Sequence, residues 1–469
     1  MSRAPKRGRD DDVAIDIEQR LTNLIVKIGD KNVANVTTHL EGLATALEDD
    51  LPRHRELILD TLFDCTHWLQ PKSAIYGTLV GLLNHAEPDF GGAVAQRAQR
   101  ELQAALDDHA PLTIRARSRF VVELMNAHVL APATALELLQ TFLRVREEPD
   151  VLPARRDYFV CIALDALVLC GKELAAQLPS ELEALMVSLR SYAEERQPLR
   201  VLAPLLLPFG EHTAEDDVTE HFDALWKLVS DISADGGWSS PLLMAPARAF
   251  AAKFESVTVH PLPVCTVPPH SPGCTYPMLT RVRLLGGGGD GGDAPMDMAG
   301  GGLAAAERII LEEHVAMTAQ AFFESHRDAA KMLQALQEAH AVDGAAVFVE
   351  TLLSMMLALP RPRHPPLYYG TLLLDLSKLL ETVPPLLERA LHALFARLPD
   401  LDAELQLRLG EWLSIHLSHF SFSLEPFAPK WAAAVREAGG QLPAPAAAAA
   451  GEAMDAEGAG GGGGGGCGG

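Results

Sequence analysis

Apolar residues recur at helical spacing along most of this chain, and this periodicity limits the possible folds more than any other feature. They form segments of roughly 12 to 20 residues, separated by Pro, Gly or Asn, from Val13 to about Phe254 and from Leu303 to about Glu437. Sustained period-two alternation is almost absent, so strands are not expected. The sequence therefore predicts an all-α protein.

Capping and breaking residues predict where the first helices begin and end. The first helix should begin near Val13, behind a run of aspartates at capping positions, and should end at Gly29. The next helix should end before Pro52, because proline disfavours helical backbone in the residue that precedes it.

One four-residue sequence, Tyr-Gly-Thr-Leu, occurs twice, beginning at Tyr76 and at Tyr369. In each copy the tyrosine and the leucines three and seven residues later lie on one helix face, which we expect to be buried. These core positions are Tyr76, Leu79, Leu83, Tyr369, Leu372 and Leu376. The glycine that follows each tyrosine would let a neighbouring helix approach closely.

A second pair of similar segments follows in the same order. Glu123–Val129 and Glu411–Leu417 each contain a glutamate, a histidine five residues later and then an apolar residue. Two matches in a common order indicate two related helical domains. Helical hairpins that cannot bury their own apolar faces stack into arrays, so we expect two HEAT-like helical-repeat arrays.

Composition divides the chain into five segments. We predict a disordered N-terminus at 1–12, a first helical-repeat domain at 13–257, a Pro/Gly-rich linker at 258–302, a second helical-repeat domain at 303–437 and a disordered Ala/Gly-rich tail at 438–469. The sequence leaves open whether the second domain is complete.

The balance of charge argues against nucleic acid as a direct ligand. The chain carries 62 acidic and 39 basic residues, which gives a net charge of −23. Since phosphate neutralisation supplies most of the affinity for nucleic acids, we do not expect the folded part to bind them directly.

Six scattered cysteines without a C-x-x-C motif favour a reducing compartment. Neither a signal-peptide pattern nor an apolar run of about 18 residues occurs, so we expect no membrane span.

Four basic residues cluster near the start of the chain, and they are Arg3, Lys6, Arg7 and Arg9. Such a cluster is typical of a nuclear import signal, and it is equally typical of a solvated, disordered chain end. The residues alone leave both interpretations open.

Sequence patterns typical of catalysis are absent: there is no G-x-S-x-G, H-E-x-x-H or P-loop motif. We therefore predict no catalytic residue and no cofactor. One set of metal-ligand types has the spacing H-x4-C-x4-H-x3-C, which could close a tetrahedral zinc site but matches no zinc class well. Its members are His260, Cys265, His270 and Cys274. We predict no metal site there and keep zinc binding as an alternative.

Two expectations concern burial. The acidic pair Glu312–Glu313 should lie on a solvated helix face. Most of the tryptophans should be core residues, namely Trp68, Trp226, Trp238 and Trp412.

Longer segments, taken in order, resemble a known family. They include HLEGLATALEDDLP (39–52), IYGTLVGLLNHAEPDFGG (75–92), ARRDYFVCIALDALVLCGKEL (154–174) and PPLYYGTLLLDLSKL (365–379). From about residue 15 to 422 the chain closely resembles the large subunit of the nuclear messenger-RNA cap-binding complex.

That resemblance implies a non-enzymatic, all-helical scaffold whose domains resemble the middle domain of the translation-initiation scaffold factor. The implied partner is a small subunit with an RNA-recognition fold, which itself binds the 5′ methylguanosine cap, so that capped RNA is held indirectly. Further implied partners are adaptors for splicing, export and RNA decay, including nonsense-mediated decay and RNA-mediated silencing. The implied location is the nucleus, with shuttling to the cytoplasm, and it favours the import interpretation of the basic cluster. The resemblance identifies no individual contact residue.

The chain departs from that family near its end. Where the family continues into a tryptophan-rich segment and a third helical domain, this sequence turns to a Gly/Ala-rich stretch, so we expect the third domain to be missing. Two alternatives to the cap-complex subunit remain from the residues, namely another helical-repeat adaptor in translation or RNA decay, and a zinc-dependent protein.

Overall fold

The computed structural model describes residues 9–30, 35–197, 218–234, 236–277, 280–282, 303–340, 342–398, 401–419 and 428–437. The chain divides into two compact units, Met1–His416 and Leu417–Gly469. Both predicted helical arrays contribute to the first unit up to His416. In the second unit the described residues include one helix of its own.

Seventeen helices are present in the described residues. The helices before the linker are α1 (Arg9–Lys27), α2 (Val36–Trp68), α3 (Ser73–Ala86), α4 (Pro88–Asp107), α5 (Pro111–Asn126), α6 (Pro132–Arg144), α7 (Pro153–Gln177), α8 (Pro179–Glu195), α9 (His221–Ala234) and α10 (Ala251–Phe254). Those after it are α11 (Ala305–Ala321), α12 (His326–His340), α13 (Ala345–Met356), α14 (Pro366–Leu379), α15 (Val383–Ala396), α16 (Ala403–Ser418) and α17 (Ala428–Glu437). The prediction of an all-α fold is confirmed.

Alternate helices stack on one another in a single row. α3 packs on α5, α5 on α7 and α7 on α9, while α4, α6 and α8 lie beside them as a second layer. The row continues past the linker, because α11 packs on α9, α13 on α11 and α15 on α13. Each helix thus buries its apolar face against its neighbours in the row, as helical-repeat arrays do. The two arrays meet at the contact of α9 with α11.

One short β-ribbon is an exception to the prediction that strands are absent. Strand β1 (Val218–Glu220) pairs antiparallel with β2 (Thr280–Val282), and Val218 lies opposite Val282. Three residues are too few to show period-two alternation in the sequence, so the pattern could not have revealed either strand.

Proline begins many of these helices, because its missing N–H is unsatisfied there in any case. The examples are Pro88, Pro111, Pro132, Pro153, Pro179 and Pro366. Pro52 behaves differently: it lies inside α2, and the prediction that a helix ends before it is wrong. The helix bends instead, with non-helical backbone at His54 (φ −122°, ψ 24°). Both halves of α2 carry buried leucines, so packing holds the two halves together across the bend.

The first helix begins earlier and ends where the sequence predicts. α1 starts at Arg9, so residues 9–12 of the predicted disordered N-terminus are helical. α1 ends at Lys27, and Gly29 has a φ of +79°, which explains why glycine follows the helix.

The described part of the linker, 258–277, contains no helix but is packed on the first array. The backbone N–H of His260 donates to the carbonyl oxygen of Val129 at 2.8 Å, and Cys265 is buried. Gln103 accepts from the backbone N–H of Thr266 and donates to its carbonyl oxygen. The glycine-rich end of the linker and the tail from 438 lie outside the described residues.

Candidate interaction surface

The junction of the two arrays, which we call the seam, contains a buried cluster of charges. Asp165 on α7 accepts hydrogen bonds from Arg119 Nη1 at 2.7 Å and from Arg115 Nη2 and Nε at 2.9 and 3.1 Å. Arg115 also forms an ion pair with Glu313, which lies on α11 of the second array. Arg115 and Arg119 are one helical turn apart on α5, so both reach the same carboxylate.

Electrostatics in this cluster favour the ionised form of the aspartate. Burial alone would raise the pKa of Asp165, but the guanidinium groups of Arg115 and Arg119 hold it well below its usual range. Glu313 is only 7% exposed, and it also lies 3.9 Å from the imidazole of His221. The seam is therefore fixed by charges that are largely removed from water, and removal of one of them would leave the others with less compensation.

Two further titratable side chains lie deep in the seam, and burial shifts the pKa of each towards its neutral form. Burial lowers the pKa of His314 to about 4, and its Nε2–H donates to the carbonyl oxygen of Leu242 at 3.3 Å. Burial raises the pKa of Glu123 from 4.5 to about 7, although Asn126 Nδ2 donates to its Oε2 at 3.0 Å. The two arrays thus meet through neutral as well as charged polar groups.

The raised pKa of Glu123 predicts a pH-dependent stability. Because the folded-state pKa is above the unfolded value, the stabilisation from this group is fully present below pH 4.5 and is lost as pH rises through about 7. We expect Glu123→Gln to flatten the pH dependence of the free energy of unfolding in that interval, by up to about 1 kcal/mol per pH unit. Urea unfolding at a series of pH values would measure it. A variant that keeps the wild-type slope would contradict the prediction.

An open groove with a volume of about 640 Å³ runs along the outside of the seam. We call it the seam groove. It is bounded by the end of α2, the start of α5, the α11–α12 connection and the segment before α14. It shares Gln70, Leu112 and Gln320 with a smaller cleft of about 100 Å³ that is lined by α5, α7 and the start of α9. The seam thus combines a rigid interior with an accessible exterior.

Two regions of the chain match known domain families. Residues 18–222 match the MIF4G domain, and residues 303–438 match the family described as MIF4G like. Two regions of the chain are therefore similar to MIF4G-type domains. The recognised MIF4G domain covers most of the first helical array, and the MIF4G-like match begins just before α11.

Curated relatives with this domain content are similar over most of the chain. Nuclear cap-binding protein subunit 1 of Xenopus tropicalis is 30% identical over 410 residues, which is 87% of this chain and 51% of that protein. The subunit 1 of Rattus norvegicus is 30% identical over 420 residues, which is 89% of this chain and 52% of that protein. The predicted relationship is confirmed. The chain spans about half the length of the curated relatives it matches.

The six residues predicted from the repeated Tyr-Gly-Thr-Leu sequence all lie in helix interiors of the two MIF4G-type domains. Tyr76, Leu79, Leu83, Tyr369, Leu372 and Leu376 are each 0% exposed. They therefore do not form a surface. The structure also places the two pairs of similar segments in contact: Gly77 on α3 faces Glu123 on α5, and Gly370 on α14 faces Trp412 on α16.

The remaining predicted residues do not form a site. Arg3, Lys6 and Arg7 lie outside the described residues, and Arg9 is the first residue of α1. The zinc-ligand candidates do not converge, and the described part of the chain holds no group of three or more side chains suited to a metal. His260 Nε2–H donates to Asn84 Oδ1 at 2.8 Å, and His270 lies 3.1 Å from the hydroxyl of Tyr276. The helices described also include none long and apolar enough to cross a membrane.

Two expectations about burial are wrong, and both concern the seam. Glu312 and Glu313 are 4% and 7% exposed. Glu313 pairs with Arg115 of the first array, and Glu312 pairs with Arg308 one turn earlier on α11. Trp68 is 62% exposed and Trp226 is only partly buried, whereas Trp238 and Trp412 are buried as predicted. One feature of the sequence does indicate a buried ion pair. Asp165 is an isolated charge in the apolar run CIALDALVLC, and a buried charge needs a partner of opposite sign.

Proposed function

We propose that this protein is a non-enzymatic scaffold subunit of a nuclear cap-binding complex. The observation that carries the proposal is the similarity, over 87% of the chain, to proteins named nuclear cap-binding protein subunit 1. The continuous row of helices from α3 to α15 supports it, because such arrays present extended surfaces to partner proteins.

The proposed mechanism is binding of a small RNA-recognition subunit that itself holds the 5′ methylguanosine cap. A scaffold of fixed shape would order flexible segments of that subunit before it meets the cap, so that less conformational entropy is lost on cap binding. The buried charge cluster in the seam supports a fixed shape. A net charge of −23 is consistent with capped RNA being held through the partner rather than by this chain.

We further propose a nuclear location, with shuttling to the cytoplasm, and adaptors for splicing, export and RNA decay as additional partners. The cluster Arg3, Lys6, Arg7 and Arg9 would supply the import signal. Replacing all four with alanine in a fluorescent fusion tests this. Unchanged nuclear accumulation would remove the cluster from the proposal.

The decisive experiment is binding of the 469-residue chain to the small subunit, followed by retention on immobilised methylguanosine cap analogue. We expect retention of this chain only when the small subunit is present, and release by free cap analogue. Circular dichroism of the same sample should show folded helix. A folded chain that neither binds the small subunit nor is retained would contradict the proposed function and would favour a different helical-repeat adaptor.

A further inference from the structure

The seam groove exposes large apolar side chains that soluble proteins usually cover. Trp68 is 62% exposed, Phe323 is 44% exposed and Leu112 is 40% exposed. The ring of His364 stacks on Phe323 with centroids 4.3 Å apart and an interplanar angle of 15°, and His67 stands edge-on to Trp68. The apolar surfaces are therefore held by neighbouring rings rather than carried on loose side chains.

Polar groups in the same groove lack partners of opposite charge. Arg363 is exposed, and its Nη1 donates to the neutral side chain of Gln320 at 2.8 Å. Among the described residues no carboxylate lies within ion-pair distance of it. Two imidazole nitrogens that line the groove, Nδ1 of His67 and Nε2 of His364, are buried without a hydrogen-bond partner in the described part of the chain.

The charge of the groove differs from that of the chain. Acidic residues outnumber basic ones 62 to 39 overall, whereas the groove lining holds one carboxylate, Glu324, and one guanidinium, Arg363. Burial lowers the pKa of His67 and His364, so neither adds a permanent charge. A guanidinium without a carboxylate beside exposed aromatic rings is complementary to a ligand that brings both an anion and an apolar group.

We propose that the seam groove binds a short peptide of a partner protein in which a carboxylate lies beside a large apolar side chain. The carboxylate pairs with Arg363, whose planar guanidinium can donate two parallel hydrogen bonds to it, and the apolar side chain packs between Trp68 and Phe323. Leu112 and the adjoining cleft extend the surface for flanking residues.

An acidic peptide fits this groove better than RNA does. Aromatic rings could stack on bases, but the groove offers a single permanently charged cation, whereas a nucleic-acid backbone needs several to release its counterions. The proposal does not rest on the cap-complex function, because the side chains that carry it all belong to the described residues of this chain.

The experiment uses a phage-displayed library of random 12-residue peptides, selected against the full chain. We expect enriched peptides to combine acidic and aromatic or aliphatic residues. Fluorescence polarisation with an enriched peptide then compares variants. Arg363→Glu and Trp68→Ala should each weaken binding by about 10-fold or more, because one removes a charged hydrogen bond and the other an apolar contact. Both side chains are exposed, so neither change should disturb folding.

Two control variants distinguish binding in the seam groove from a general effect of charge or apolar surface on affinity. Arg361→Glu makes the same charge change at an exposed arginine two residues away that does not line the groove, and Leu407→Ala removes an apolar side chain that is 60% exposed elsewhere. Both should leave affinity within about 2-fold. Enrichment without acidic residues, equal losses in Arg361→Glu, or displacement of the peptide by an oligouridylate RNA would each overturn the proposal.

Discussion

Replacing Asp165 with alanine should lower the free energy of unfolding by about 3–5 kcal/mol. The carboxylate accepts three hydrogen bonds from Arg115 and Arg119, and its side chain is 6% exposed. Without it, two guanidinium groups remain in the seam with less compensation, and an uncompensated buried charge costs far more than a lost surface ion pair. Urea unfolding, monitored by circular dichroism, would measure the change in the free energy of unfolding.

The matched control is Asp231→Ala. Asp231 is 41% exposed and lies 3.8 Å from Lys227, so its removal should change the free energy of unfolding by less than about 1 kcal/mol.

The pH dependence of the free energy of unfolding provides a second measurement. Because the folded-state pKa of Asp165 is depressed, its stabilisation is present above the unfolded pKa near 3.8 and is lost as pH falls through the folded value. Equal effects of the two substitutions would show that the seam cluster does not stabilise the fold.

Helical periodicity predicted the fold class and the positions of most helices, because the buried face of a helix appears in the local sequence as apolar residues at helical spacing. Boundaries followed equally local signals, such as Gly29 after α1 and Pro366 at the start of α14. Pro52 shows the limit of that reasoning. Whether a proline ends a helix or bends it depends on what both halves pack against, and that information lies in other helices.

The seam could not be predicted in the same way. Glu313 and Arg115 are 198 residues apart, and nothing in the spacing of either segment indicates that they meet. The predictions of a solvated Glu313 and a buried Trp68 were wrong for the same reason, because the exposure of each side chain depends on helices that are distant in the sequence. The seam groove is assembled from four separate segments, each too short to form a motif. A functional surface of this kind becomes visible only when the arrays are placed together.

Gly77→Ala and Gly370→Ala should each lower the free energy of unfolding by about 1–3 kcal/mol. A Cβ atom at Gly77 would lie 2.9 Å from the carbonyl oxygen of Glu123, which is backbone of α5 and cannot move away cheaply. A Cβ atom at Gly370 would lie 2.7 Å from Nε1 of Trp412, whose ring is buried. The helix propensity gained by adding alanine is smaller than either overlap costs.

At two other helical glycines, substitution by alanine should raise rather than lower the free energy of unfolding. Gly42 on α2 and Gly410 on α16 have no atom within 4 Å of a new Cβ, so alanine there should raise the free energy of unfolding by about 0.5–1 kcal/mol. Urea unfolding of the four variants would measure both signs. Since Gly77 and Gly370 follow the two copies of the repeated tyrosine, losses at both would support equivalent roles for α3 and α14 in two related domains. A loss at Gly77 with a gain at Gly370 would contradict that equivalence, because the second helix would then not need the close approach that the first one makes.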